Sequence, residues 1–185
     1  MAALKELRVL GYFLCLFSSV AVMADDLSQG EVLFRQAGGY GCVACHGMYA
    51  QGDGQVGGNI RAKNLADINR ALLQQPSMKG LSSVLSGADR ALLAEYLAEL
   101  NSYELINWTL GVGEPFQQVK VTADEHYQLV ITNKGFEALT LQLTGISEPG
   151  QVNIAPYQTL AFAWQVKGSY LFLASDQSRL QLTLK

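Results

Sequence analysis

The chain has 185 residues, with 13 basic and 16 acidic side chains and a formal net charge of −3. This mildly acidic balance argues against nucleic acid as a partner, because nucleic-acid-binding proteins present basic faces. The length is sufficient for two small domains or for one domain of ordinary size.

Residues 1–24 have the pattern of a secretory signal peptide. Lys5 and Arg8 form a positive start, an apolar stretch follows, and Val22–Ala24 supply the cleavage region before two aspartates. The apolar stretch 9–23 has about 15 residues, fewer than the roughly 20 that a membrane-spanning helix needs. We therefore expect cleavage and a periplasmic protein. Retention of this segment as an uncleaved membrane anchor is the less favoured alternative.

Residues 25–103 show the periodicity of helices. The spacing of apolar side chains predicts helices over 28–36 and 66–73. A third helix is predicted from Ser86, whose side chain can cap it together with the side chain of Asp89. Glycine-rich loops lie between the first two helices, and such loops suit a backbone that approaches a ligand closely.

Cys42, Cys45 and His46 form a Cys-x-x-Cys-His motif in one of these loops. The motif is the attachment signature of c-type haem, in which two thiols bond to one haem and the adjacent histidine ligates its iron. A thioredoxin-type redox pair is disfavoured because no strand precedes the motif. A zinc site is disfavoured because the only other histidine is His126. The third cysteine, Cys15, falls in the predicted signal peptide.

These features resemble class I bacterial cytochrome c domains. In that family the first and last helices cross, and the haem lies in the shell that they help to close. The resemblance implies an all-α fold for residues 25–103, electron transfer, and one covalent haem c. It rests on Gly30 and Phe34, the motif Cys42–His46, Met78, and Leu93–Leu97 in the last predicted helix.

The same resemblance implies His46 and Met78 as the two axial ligands of the iron. Met78 lies in the loop before the last predicted helix, where the family places its ligand. Met48 follows His46 too closely to reach the opposite side of a haem. His126 lies in the second half of the chain, and we expect it to be a solvated turn residue.

The pattern changes at about residue 104 to the period-two alternation of strands. No helix is predicted between the strands, and turn sequences separate them, so residues 104–185 are expected to form an antiparallel β-sandwich. The fold class is therefore multidomain, α and then β. The predicted strands are Phe116–Val121, Tyr127–Thr132, Leu139–Leu143, Thr159–Trp164, Tyr170–Leu173 and Leu180–Leu184.

This second half is similar in its rhythm to cupredoxin-like sandwiches. The similarity is carried by Phe116–Val121, Leu129–Asn133 and Gly168–Phe172. A type 1 copper site needs two histidines and a cysteine, whereas this half has one histidine, no cysteine and no methionine. We therefore predict a sandwich without copper. Trp108 and Trp164 are expected in its core, with interface anchors as the alternative.

The function predicted from these patterns is that of a periplasmic c-type cytochrome, which carries electrons between redox partner proteins and is not itself an enzyme. No catalytic acid or base is assigned. Two alternatives stay open. The first is a haem enzyme or gas-binding protein with an open sixth iron position. The second is a partner-docking subunit of a larger redox complex, in which the sandwich is the working part.

Overall fold

The computed structural model describes residues 28–52 and 56–185. The predicted signal peptide, residues 1–24, lies outside these ranges. Helices come first along the described chain and strands follow. Across the described ranges, no helix has both the length and the apolar character that crossing a membrane requires.

Four α-helices precede the strands in the described chain. Each of the three predicted helices is confirmed, with ends that differ from the prediction by no more than one or two residues. A single helical turn carries the cysteine motif. The helices are α1 Gln29–Gln36, α2 Val43–His46, α3 Leu65–Gln74 and α4 Gly87–Asn101, and short 3-10 turns cover Ala37–Gly39 and Lys79–Ser83.

The N-termini of α3 and α4 are fixed by reciprocal side-chain caps. At α4, Ser86 accepts a hydrogen bond from the backbone N–H of Asp89, and the Asp89 carboxylate accepts one from the N–H of Ser86. The cap predicted at Ser86 is therefore confirmed. Asn64 and Asp67 make the same pair of bonds at α3. Each cap satisfies backbone donors that the first helical turn leaves unpaired.

α1 crosses α4 at very close range. Gly30 lies against the backbone carbonyl of Leu92 and the side chain of Tyr96, so no larger residue fits there. One turn later Phe34 is fully buried, with its ring centroid 5.4 Å from that of Tyr96. The contact that the family resemblance placed between the first and last helices is thus present.

Eight strands follow and form two facing sheets. One sheet has the strand order β1-β3-β6 and the other β2-β8-β7-β4-β5. The strands are β1 Glu104–Leu110, β2 Phe116–Val121, β3 His126–Asn133, β4 Leu139–Gln142, β5 Gln151–Ile154, β6 Thr159–Gln165, β7 Tyr170–Ala174 and β8 Arg179–Leu184.

The prediction of an antiparallel sandwich was partly wrong, because the sheets are mixed. β1 pairs in parallel with β3, and β2 pairs in parallel with β8. Alternation of apolar residues marks a half-buried strand but not the direction of its neighbour, which explains the error. Two strands were also missed. β1 begins at Glu104, at the predicted boundary between the two halves, and β5 has four residues of which Ile154 alone is buried.

The described residues bury two separate hydrophobic clusters. One lies among the helices, and the other lies between the two sheets. Trp108 is 2% exposed in the cluster between the sheets, so its predicted core position is confirmed. Trp164 packs against the same cluster but is only partly buried.

Substituting Gly30 with alanine should destabilise the protein by about 1 to 3 kcal/mol, because the added methyl group collides with the Leu92 carbonyl and the Tyr96 side chain. Urea unfolding followed by helical circular dichroism measures the change. Gly87→Ala is the matched control, since a methyl group there meets nothing within 4 Å. Its stability should change by no more than about 1 kcal/mol. Equal losses in the two variants would contradict the close crossing.

Candidate functional site

The Cys-x-x-Cys-His motif forms a single helical turn between two glycines. Gly41 and Gly47 have φ angles of 65° and 78°, a region that other residues rarely adopt. A side chain at Gly41 would also collide with the backbone carbonyl of Arg35. These two glycines let the chain turn sharply out of α1 and back again, so that Cys42 and His46 lie on one short turn.

The ring of His46 is oriented by a backbone carbonyl. Its Nδ1 lies 2.9 Å from the carbonyl oxygen of Gly58. Because that oxygen can only accept, Nδ1 carries the proton and Nε2 keeps its lone pair. Gly57 makes this approach possible, since a Cβ atom there would lie 2.8 Å from the same Nδ1. A histidine held in this way is ready to act as a metal ligand.

His46 and Met78 line the same cavity, although 32 positions separate them in the sequence. The cavity has a volume of about 330 Å³, and Ile60, Ile68 and Leu97 contribute to its apolar wall. A smaller, wholly apolar cavity is also lined by His46 and Met78 and continues inward to Phe34 and Cys42.

The predicted site residues are therefore brought together. Cys42, His46 and Met78 line one continuous space, and Cys45 stands on the same turn of α2. Thiol, imidazole and thioether groups are donors for redox-active metals. Apolar walls keep water away from such a group, which affects its reduction potential. The donor types present suit a redox-active metal group, although no three His, Cys, Asp or Glu side chains of the described residues lie close enough together to hold a bare metal ion.

Burial raises the pKa of the Cys42 thiol to about 11. Desolvation is the largest cause, because the apolar surroundings disfavour the charged thiolate. With its thiol free, Cys42 is therefore protonated and weakly nucleophilic at neutral pH. This environment suits a sulfur atom that is held in a bond better than one that reacts in solution.

Sequence reasoning missed Arg61, which is 3% exposed. Its Nη2 donates to the carbonyl of Leu100 at the end of α4, while Nε and Nη1 have no hydrogen-bond partner among the described residues. Burial lowers the pKa of this guanidinium, and attraction from Glu104 opposes the shift. Arg61 thus ties the loop after the motif to the join between α4 and β1. A single arginine in a polar loop gave no signal of this contact.

A second cavity of about 490 Å³ lies between the motif segment and the three-stranded sheet. Val43 and Met48 border it from the helical side, and Asn107 and Val130 from the sheet. Met48 does not line the cavity that His46 and Met78 share. The sandwich therefore lies beside the motif and away from Met78.

Among the residues that the structure describes, in the helical part as in the sandwich, no group of three His, Cys, Asp or Glu side chains could hold a metal ion. His126 is the first residue of β3 and is exposed, so it lies in solvent as predicted, although in a strand.

No protein-family model and no curated protein sequence matches the chain. Solved structures similar to it include the multicopper oxidase Fet3p (16% identity, TM-score 0.37, 45% of this chain and 23% of that one). They also include an auracyanin from Roseiflexus castenholzii (8% identity, TM-score 0.35, 45% and 98%). A multicopper oxidase from Campylobacter jejuni is a third (16% identity, TM-score 0.30, 37% and 19%).

The two facing sheets form a β-sandwich, and each of these similar structures matches less than half of this chain. At these scores and identities they carry no argument about function. This chain spans less than a quarter of the length of either multicopper oxidase.

The prediction of one covalent haem c and no copper requires correction. The similar structures are copper proteins, which contradicts it. The prediction excluded copper only because the sandwich lacks ligands. However, the two thiols, the imidazole and the thioether of the helical part are donor types that copper also takes. The donor types at this site therefore do not by themselves identify the metal.

With its thiol free, Cys42 should react with iodoacetamide at pH 8 about 100-fold more slowly in the folded chain than in urea, since its pKa rises from 9.0 to about 11. Only the thiolate reacts, so the folded-state rate should increase as the pH rises towards 11. Peptide mass spectrometry of timed samples measures the rate. Equal rates in the two states would contradict the burial of this thiol.

Proposed function

We propose that the protein is a periplasmic electron carrier whose redox-active metal group is held in the helical part by Cys42, Cys45, His46 and Met78. The observation that supports this most directly is the shared cavity, in which a histidine and a methionine distant in sequence line one space whose inner part is apolar. When bound, the group supplies one-electron exchange.

Each of the four residues has a distinct part in the proposal. The thiols of Cys42 and Cys45 hold the group on the motif turn. Gly58 orients the His46 ring and leaves Nε2 available as a ligand. Met78 supplies a thioether, a soft ligand that favours the reduced state of the metal and so raises the potential.

The packing of the helices supports a cytochrome c-type arrangement of this part of the chain. α1 crosses α4 at Gly30, and Phe34 then backs the inner cavity. Cys42 is joined to α1 by a hydrogen bond of 2.8 Å from its N–H to the carbonyl of Phe34. The helix crossing thereby sets the distance between the motif and the Met78 side of the cavity.

Electron carriage is favoured over ligand binding at an open metal position, because the Met78 side chain lines the cavity together with His46. If Met78 ligates the metal, its thioether would take the position that an incoming gas or peroxide would need. Electron transfer also requires no catalytic acid or base beside the metal, and none is assigned in this protein. We therefore propose an electron carrier and not an enzyme.

The test compares the wild type with Met78→Ala, each produced with its signal peptide in a host that attaches redox groups to exported proteins. Absorption spectra, elemental analysis for iron and copper, and a potentiometric titration are recorded. The wild type should contain one metal group with a one-electron transition. Met78→Ala should retain the metal, lower the potential by on the order of 100 mV and bind carbon monoxide when reduced.

Met48→Ala is the matched control, because Met48 borders the second cavity, beside the sheet, and does not line the cavity that His46 and Met78 share. It should leave the potential and the carbon monoxide response unchanged. Elemental analysis identifies the metal as iron or copper in the same samples. A wild type that lacks any redox-active metal would refute the proposal. A wild type that already binds carbon monoxide as readily as Met78→Ala would favour the open-position alternative.

A further inference from the structure

The segment 63–85 surrounds Met78 and forms the outer side of the cavity. It comprises α3, the loop that carries Met78 and the following 3-10 turn. We call its exposed side chains the cavity face. Three of these exposed side chains also line the cavity, namely Lys63, Arg70 and Gln74. If an electron enters or leaves through this cavity, a partner must approach this face.

The cavity face is basic, although the whole chain has a net charge of −3. Asp67 is the only acidic residue in the segment, and it forms an ion pair of 3.1 Å with Arg70. Lys63 and Lys79 are exposed and belong to none of the ion pairs among the described residues. The face therefore carries an uncompensated positive charge beside the cavity.

Negative charge lies on another part of the helical domain. Glu95 and Glu99 are exposed on α4. The sandwich residues from 104 to 185 contain seven acidic and five basic side chains. Such a separation of charge orients an approaching charged partner, because attraction at one face and repulsion elsewhere favour one direction of encounter.

The cavity face also exposes apolar side chains. Leu65 is 39% exposed, Leu73 is 69% exposed and Val84 is 53% exposed. Apolar contacts combined with surrounding charges are the usual composition of a transient protein interface. Single exposed apolar residues are common, and these two leucines and one valine add apolar surface to the segment that carries the basic residues.

We propose that the cavity face is the docking surface for a redox protein whose own contact surface is acidic. This inference rests on the proposed function. One electron passes between the two proteins across the face, so that one centre is oxidised and the other reduced, with no proton transferred and no bond made or broken. The positive charge speeds encounter, and the exposed leucines and valine provide the short-lived contact.

The test measures how fast the reduced protein is oxidised by hexacyanoferrate(III), an anionic one-electron oxidant that stands in for an acidic partner. Stopped-flow rates are recorded at ionic strengths from about 10 to about 200 mM, roughly a twentyfold range over which screening varies strongly. The wild-type rate should fall several-fold as salt increases. A net charge of −3 alone would give the opposite trend.

Lys63→Glu combined with Lys79→Glu should slow the reaction at low salt by on the order of tenfold and reverse its salt dependence. Lys120→Glu combined with Lys185→Glu is the control, because it makes the same change in net charge on exposed residues of the sandwich. The control should behave like the wild type. As a second readout, the wild type should be retained longer than the cavity-face variant on a carboxylate resin at low salt.

Equal effects of the two double variants would overturn the docking proposal while leaving electron carriage intact. So would a wild-type rate that rises with salt. A protein with no redox-active metal would instead refute the proposed function, and the resin measurement would still report on the basic face. An oxidation rate that rises more steeply than in proportion to the protein concentration would identify a second copy of the chain as the occupant of the face. That result would also overturn the proposal.

Discussion

The close approach of α1 to α4 is the constraint on which the candidate site depends. α4 lies beneath both sides of the cavity. On one side, Gly30 and Phe34 seat α1 on α4, and the backbone of Phe34 holds Cys42. On the other side, the guanidinium of Arg90 on α4 donates to the carbonyls of Ser82 and Leu85, just after Met78. The positions of His46 and Met78 therefore share one support.

The β-sandwich contributes to the site from outside. Its three-stranded sheet borders the motif segment across the second cavity, and Arg61 joins the loop after the motif to the end of α4. The sheet thus covers one side of the motif segment, whereas no sandwich residue lines the cavity beside Met78. Under the proposed function, a redox partner would approach from the Met78 side, and charge complementarity there would favour both specificity and the rate of encounter.

Much of the local structure could be predicted from particular residues. Ser86 and Asp89 predicted the cap of α4, and the strict alternation of apolar and polar residues predicted β8. Strand direction could not be predicted, because a parallel and an antiparallel neighbour bury the same alternate residues. The contacts of Arg61 and of the Gly58 carbonyl were also unpredictable, since they join loops that no periodic pattern describes. The motif residues were found because their chemistry fixes their spacing, whereas the cavity walls come from three separate helices and loops.

The central claim is that the redox group is bonded to the motif turn, and peptide mapping tests it most directly. Complete tryptic cleavage after Arg35 and Arg61 releases one peptide, 36–61, that contains Cys42, Cys45 and His46. In folded protein that shows a one-electron transition, we expect that neither thiol of this peptide is alkylated before the metal is removed. Alkylation of both thiols in folded, redox-active protein would contradict the claim.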